Sequence, residues 1–168
     1  MEEKILIAYA SKYGSTAEVA QGIGRILAEQ GQTVDVKLMA SIDRLDSYRA
    51  IVLGSPIYAT RWLPEAEDFV NRFKISLTDL PVACFTVCMA LRDGSEKSRI
   101  LVAHWMKPVY EVINPVATGL FAGALEARRM GLIWHVILWL RKTPQGDFRD
   151  WPEIQTWASR LPSAFAVN

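Results

Sequence analysis

The stretch from Lys4 to Gln30 constrains this chain more than any other. Lys4-Ile-Leu-Ile-Ala-Tyr-Ala10 is a near-continuous apolar run, the pattern of a strand buried on both faces. Ser11-Lys12-Tyr13-Gly14-Ser15-Thr16 follows at once, and from Ser15 to Gln30 Ala17, Ala20, Ile23 and Leu27 recur at helical spacing until Gly31 stops the pattern. A strand without a polar face needs cover on both sides, and the helix that follows supplies it on one.

The rest of the chain repeats the theme. Thr33–Leu38 alternates like a strand near a sheet edge, Ala50–Gly54 is a short apolar strand, and Pro64–Phe73 reads as a helix with proline in its first turn. Pro81–Val87 is a fourth strand. A helix within Glu96–Ile113, interrupted by Pro108, leads to a fifth at Val116–Ala122. Two more helices are expected, Leu132–Lys142 and Trp151 to about Phe165, the latter capped by Asp150 with Pro152 in its first turn. Strands alternating with helices predict an α/β fold of three layers, a doubly wound parallel five-stranded sheet with right-handed crossovers. Such sheets bind ligands beyond the carboxyl ends of their strands.

The 168 residues suit one domain, residues 1–168, with a basic and apolar helical insertion at about 126–149. Hydrophobic residues at 51% against 22% charged exclude disorder, and a net charge of +1 argues against a nucleic-acid partner. That near-zero sum hides a surplus of four positive charges between residues 88 and 142. The acidic start Met1-Glu2-Glu3 lacks the basic region of a targeting segment, and Met130–Leu140, broken only by His135, is far short of a membrane span. Cys84 and Cys88 on one strand lie about 13 Å apart, beyond bridging distance, and read as reduced thiols of a cytoplasmic protein.

Ser11–Thr16 offers three hydroxyls, a glycine and free amides at the positive end of a helix dipole, which suits a phosphate. The Walker pattern is missing, and Gly22-Ile-Gly24 lies inside the helix with Leu27 where a dinucleotide fingerprint needs its third glycine. The loop therefore fits one terminal phosphate better than a pyrophosphate, the alternative being that Ser11 and Ser15 merely cap the helix. His104 and His135 show no zinc spacing, so no metal site is expected; no G-x-S-x-G nucleophile motif occurs, and no catalytic side chain is assigned.

The stretch Ile5–Ala20 resembles the FMN-binding signature of flavodoxins. That resemblance implies FMN as cofactor, strand order 2-1-3-4-5, for which flavodoxin is itself the standard example, and the phosphate on Ser11, Lys12, Tyr13, Gly14, Ser15 and Thr16. It also implies a second loop along the flavin at Gly54–Ala59, through Pro56, Ile57, Tyr58 and Ala59, with Tyr58 or Trp62 as the stacking aromatic, the alternative for each being core or surface packing. A third loop would follow the fourth strand at Val87, Cys88, Met89 and Ala90. No aromatic stands there, so Met89 or Leu91 would cover the ring, leaving one flavin face open to substrate. Electron-carrying flavodoxins are typically acidic. This chain is neutral, with Arg61 and Arg92 just beyond the second and third loops, where they would favour electron acceptance.

Thr118–Leu125, the tryptophan-bearing helix at Leu132–Leu140 and Gly146–Trp151 are similar to a narrower branch, the menaquinone-dependent protoporphyrinogen oxidases. The likeness runs from Lys4 to about Phe165, although Ser55–Ala59 is closer to generic flavodoxin-like reductases. It implies an FMN-dependent oxidoreductase that oxidises a small lipophilic substrate such as protoporphyrinogen IX and passes electrons to a quinone. The alternatives are a flavodoxin electron carrier and an NAD(P)H-dependent quinone reductase. Arg128-Arg129 and Arg141-Lys142 flank the apolar helix, and Trp134 and Trp139 favour a lipid interface. Residues 128–142 are accordingly expected to meet protein, as in a homodimer, a lipophilic ligand, or the inner face of a membrane.

Overall fold

The computed structural model describes residues 4–166; the acidic start Met1-Glu2-Glu3 lies outside them. β1 (Lys4–Tyr9), α1 (Ser15–Glu29), β2 (Val34–Leu38) and β3 (Tyr48–Tyr58) open the chain. β4 (Arg61–Trp62), α2 (Pro64–Arg72), α3 (Lys74–Thr78), β5 (Val82–Val87), α4 (Glu96–Ile113) and β6 (Ala117–Phe121) complete the sheet and one helical layer. β7 (Ala124–Leu125), α5 (Leu132–Leu140), β8 (Gly146–Asp147) and α6 (Trp151–Phe165) follow.

Five strands run parallel in the order β2-β1-β3-β5-β6, with β4 antiparallel on β3. Counted over the parallel strands alone, this is the expected 2-1-3-4-5 order. Because side chains alternate along a strand, β1 sends Ile5 and Ile7 to one face and Leu6 and Ala8 to the other. Ile5 and Ile7 pack with Val19, Ile23 and Leu27 of α1 and with Ile154 and Leu161 of α6. On the opposite face Leu6 and Leu53 meet Phe69 of α2, Leu77 of α3 and Met106 of α4. All six residues of β5 are buried, as a central strand sandwiched between helical layers requires. Gly54 is where the sheet closes most tightly: a Cβ there would lie 2.0 Å from the ring of Phe85.

Several expected boundaries move. β3 does not end at Gly54 but runs on to Tyr58, so Pro56 to Tyr58 are strand, and the loop expected there is a hairpin turning through Ala59 and Thr60. Both turn residues hold positive φ, 48° and 67°, a conformation that suits a tight hairpin but is uncommon for residues other than glycine, asparagine and aspartate. Pro108 does not interrupt α4, which runs unbroken for 18 residues. The backbone bond lost at proline is outweighed by the anchoring of Val102, Met106 and Ile113 on either side of it. The helix expected at 64–73 ends at Arg72, and α3 starts beyond Phe73. Asp150 caps α6 as expected, its carboxylate accepting from the Glu153 amide at 3.0 Å. Both cysteines are free thiols, and Cys84 is fully buried.

Candidate functional site

β1, β3 and β5 end on the same rim of the sheet, and the turns that leave them enclose a cleft of about 380 Å³, within the usual range for small-molecule sites. The first wall is the β1–α1 turn. Gly14 holds φ at 93°, a left-handed value that lets the chain swing from strand into helix. Its amide donates to Ser11 Oγ at 3.1 Å, and the Glu18 amide donates to the Gly14 carbonyl at 3.0 Å. No side chain caps α1. The Ser15 hydroxyl is instead engaged across the cleft floor, where Oγ accepts from the Ala124 amide at 3.1 Å. Ser15 is thus tied to the chain beyond β6, while Ser11 braces the turn at the helix entry.

The second wall is the β3–β4 hairpin and the third the turn after β5. Ser11, Lys12, Tyr13, Ser15 and Thr16 share the cleft with Pro56, Ile57, Tyr58 and Ala59 and with Val87, Cys88, Met89 and Ala90. Gly14, the remaining candidate, stands behind the wall and shapes it. Tyr58 is 38% exposed and faces Tyr13 with ring centroids 6.3 Å apart, while Lys12 Nζ sits 4.9 Å above the Tyr58 ring. Burial, with a smaller contribution from Tyr13, pushes the Tyr58 phenol up to about 12, so it stays protonated at neutral pH. Burial also raises the Cys88 thiol, against a weaker lowering by the Ala90 amide, so this cysteine is no ready nucleophile.

Three expectations need correction. Trp62 is not available to stack on a ligand: it is 1% exposed and buried in the core, its indole Nε1 donating to Thr86 Oγ1 at 3.0 Å. A two-residue strand that starts right after the hairpin turns this side chain inward. Nor do the two expected arginines face the cleft. Arg61 is held by Glu67 in a forked pair on the surface, and exposed Arg92 donates to the Met89 carbonyl at 3.2 Å.

A fourth wall comes from residues outside the expected cofactor loops. β6 ends at the same rim, so the chain leaving it also passes the cleft, and Gly123, Ala124, Leu125, Glu126, Arg129 and Met130 line it. β7 and β8 pair antiparallel and close a loop that carries α5 over the mouth, where Trp134 and Leu138 reach the cleft. The return limb is pinned to α1. Arg149 makes a forked pair with Asp147 (2.8 and 2.6 Å), bonds Glu18, and stacks 5.1 Å from Trp151. Trp151 in turn rests on Gly22, whose Cβ, were there one, would lie 2.6 Å from the indole. The signal for this wall was in the sequence. Arg128-Arg129 follow the last parallel strand, at the rim where ligands bind, but their position beside an apolar helix points to substrate access or lipid rather than to the cofactor.

The opposite side of α5 is bare. Leu132, Ile133, Val136, Trp139 and Leu140 are between 53% and 84% exposed. Among the described residues no helix is long and apolar enough to cross a membrane.

Structural comparison finds the same architecture in flavodoxin 2 of Bacillus cereus, over 97% of each chain at TM-score 0.58 and 24% identity. The two-electron reduced flavodoxin of Megasphaera elsdenii matches over 93% of this chain and 98% of its own, at TM-score 0.60 and 18% identity. Rubredoxin oxygen:oxidoreductase of Desulfovibrio gigas matches 99% of this chain with 38% of its length, at TM-score 0.53 and 17% identity. At such identities these likenesses establish the fold. The comparison with curated proteins returns no match. The family model described as a flavodoxin domain matches residues 6–150, most of the chain. With the cleft where that fold carries its ligand, the chain belongs to the flavodoxin domain family, and its cofactor is FMN.

Proposed function

We propose that the chain is an FMN-dependent oxidoreductase that takes electrons from a small lipophilic substrate, with protoporphyrinogen IX the branch-level candidate, and delivers them to a quinone. The donor set of the cleft fits FMN. Hydroxyls of Ser11, Ser15 and Thr16 with the uncapped start of α1 suit its phosphate, and Pro56, Ile57, Val87 and Met89 make an apolar slot for the ring with Tyr58 at its side. Bound there, FMN supplies the electron relay.

The chain's own residues do the rest. The β1–α1 turn would hold the phosphate end through Ser11, Ser15 and Thr16. Tyr58, protonated at neutral pH, offers a hydrogen-bond donor at the edge of the slot. Trp134 and Leu138 shield the mouth from water and give an apolar substrate a surface to lie on. In each turnover a hydride and a proton leave the substrate, and the electron pair with two protons converts quinone to quinol.

The observation that carries this reading is α5, a helix that walls the cleft with one side and leaves its other side apolar and bare. A lipophilic substrate or quinone dissolved in a bilayer would reach the ring along it, with Arg128, Arg141 and Lys142 on the anionic headgroups of the cytoplasmic leaflet. A second reading, a flavodoxin electron carrier, draws support from the match along nearly the full length of flavodoxins.

Anaerobic mixing of the FMN-loaded protein with protoporphyrinogen and menaquinone tests the proposal. Growth of porphyrin fluorescence that depends on the quinone is the expected result. No turnover, together with reduction in two separate one-electron steps, would establish the carrier; rapid bleaching by NADPH instead would establish a nicotinamide-dependent quinone reductase.

A further inference from the structure

We propose that Arg129, from the loop between β7 and β8, is a ligand of the FMN phosphate, so that this loop, besides walling the cleft, clamps the cofactor and sets the preference for FMN over riboflavin. The inference rests on the phosphate lying against Ser11–Thr16.

The cleft-lining residues include two cations, Lys12 and Arg129. The Lys12 ammonium lies over the rings of Tyr58 and Tyr13, at 4.9 and 5.6 Å, and is thus committed to the aromatic side. Arg129 is at the other end. Its guanidinium is so near the β1–α1 turn that a methyl group on Gly14 would come 3.3 Å from Nη1. Glycine at this position thus serves twice, once for the left-handed turn and once to let the guanidinium approach the loop backbone.

A phosphate monoester carries about −1.5 to −2 charges at neutral pH, and a guanidinium fork matches its oxygens better than an ammonium does. Glu18, in the first turn of α1, adds a negative charge that would repel it. Arg129 now spans two carboxylates, with Nη1 2.6 Å from Glu18 and Nε 3.1 Å from Glu126. Neither carboxylate depends on it. Glu18 also bonds Arg149, and Glu126 also bonds Arg128 at 2.7 Å. Arg129 can therefore turn part of its fork to a phosphate without leaving a bare acid behind, since Arg149 keeps Glu18 neutralised and Arg128 keeps Glu126 so.

The test is the pair of dissociation constants for FMN and riboflavin, from quenching of flavin fluorescence, in the wild type and in Arg129→Gln, Arg129→Lys, Arg128→Gln and Ser11→Ala/Thr16→Ala. Riboflavin has the same ring and ribityl chain but no phosphate, so its affinity reports whether the cleft is still folded. Loss of one charge-assisted fork predicts an FMN affinity about 10- to 100-fold lower in Arg129→Gln, with riboflavin affinity unchanged. Arg129→Lys should be intermediate, and Arg128→Gln, which leaves Glu126 to Arg129 alone, should lower FMN affinity by less than Arg129→Gln does, with riboflavin affinity again unchanged. If Arg129→Gln keeps the wild-type ratio of the two constants, or weakens both flavins alike, the arginine is not a phosphate ligand. A ratio that collapses in Ser11→Ala/Thr16→Ala but survives in Arg129→Gln overturns only the role of the arginine. A ratio insensitive to both variants, or a wild type that does not discriminate, overturns the placement of the phosphate as well.

Discussion

Gly14 and Trp62 show how much a single residue can say about this site, and in which direction sequence reasoning errs. Gly14 was readable as part of a phosphate loop because the hydroxyl-glycine-hydroxyl run stands between a buried strand and a helix. Its φ of 93° is a conformation that an alanine adopts only at a cost of about 1–2 kcal/mol. Gly14→Ala is therefore expected to lower unfolding stability by that amount in urea titration and to weaken FMN by displacing Arg129. A variant as stable as the wild type would show that the turn relaxes without the left-handed residue. Trp62, an aromatic just past a cofactor loop, reads either as a stacking residue or as core packing, and the structure selects the core. What decides its role is the hairpin turn at Ala59 and Thr60, whose two positive φ values no local signal announces. Trp62→Phe leaves Thr86 Oγ1 without its partner in the core and should destabilise the fold by about 1–3 kcal/mol, while FMN affinity stays within about twofold because the indole does not line the cleft. A large loss of FMN affinity with unchanged stability would reinstate Trp62 as a flavin contact.

The same contrast holds among the elements. Long elements declare themselves because burial imposes a pattern: β1 and β5 as near-continuous apolar runs, α1 through its repeat, α6 through Asp150 and Pro152. β4, β7 and β8 are two residues each and too short to carry any period, so their existence depends on contacts that only the assembled molecule provides. The β7–β8 loop is thus held by charge more than by pairing, with Arg149 as its main fastening. Arg149→Ala should cost about 2 kcal/mol and speed hydrogen exchange across residues 124–147 while leaving the parallel sheet protected; uniform protection would mean that Trp151 alone secures the limb. The fastening also titrates. Hydrogen bonds from Arg149 lead the causes that hold Glu18 below its ordinary 4.5 and Asp147 below its ordinary 3.8. Carboxylates depressed in the folded state stabilise it fully above their unfolded values and lose that contribution as pH falls through the folded ones. Protection of the loop should accordingly hold at neutral pH, begin to fade as the pH drops below about 4.5, and be gone once both acids are protonated. Hydrogen exchange in acid that spares this loop as fully as the sheet would refute the account.

At the scale of the whole molecule, charge and apolar surface converge on one side. Neutrality overall, with the positive surplus confined to residues 88–142, places cations beside α5, which bares more large apolar side chains than any other helix among the described residues. Leu132 and Ile133 at 84% and 76% exposed and Trp139 at 76% form an apolar face on the side of α5 turned away from the cleft. Each apolar side chain buried there is worth about 1.5–3 kcal/mol, and each nearby Lys or Arg adds about 1 kcal/mol at an anionic surface. Such sums are enough for reversible docking without a span. Co-flotation with vesicles that contain anionic lipid is therefore expected for the wild type. It should fall by at least about tenfold in Ile133→Ser/Trp139→Ser, and it should also weaken as salt screens the arginines. FMN affinity should not change in that variant, because neither residue faces the cleft. If the wild type does not float, but sediments as a dimer that the double substitution dissociates, α5 is covered by a second copy of the chain rather than by lipid. Substrate would then have to enter past Tyr58 and Met89 instead of along the helix.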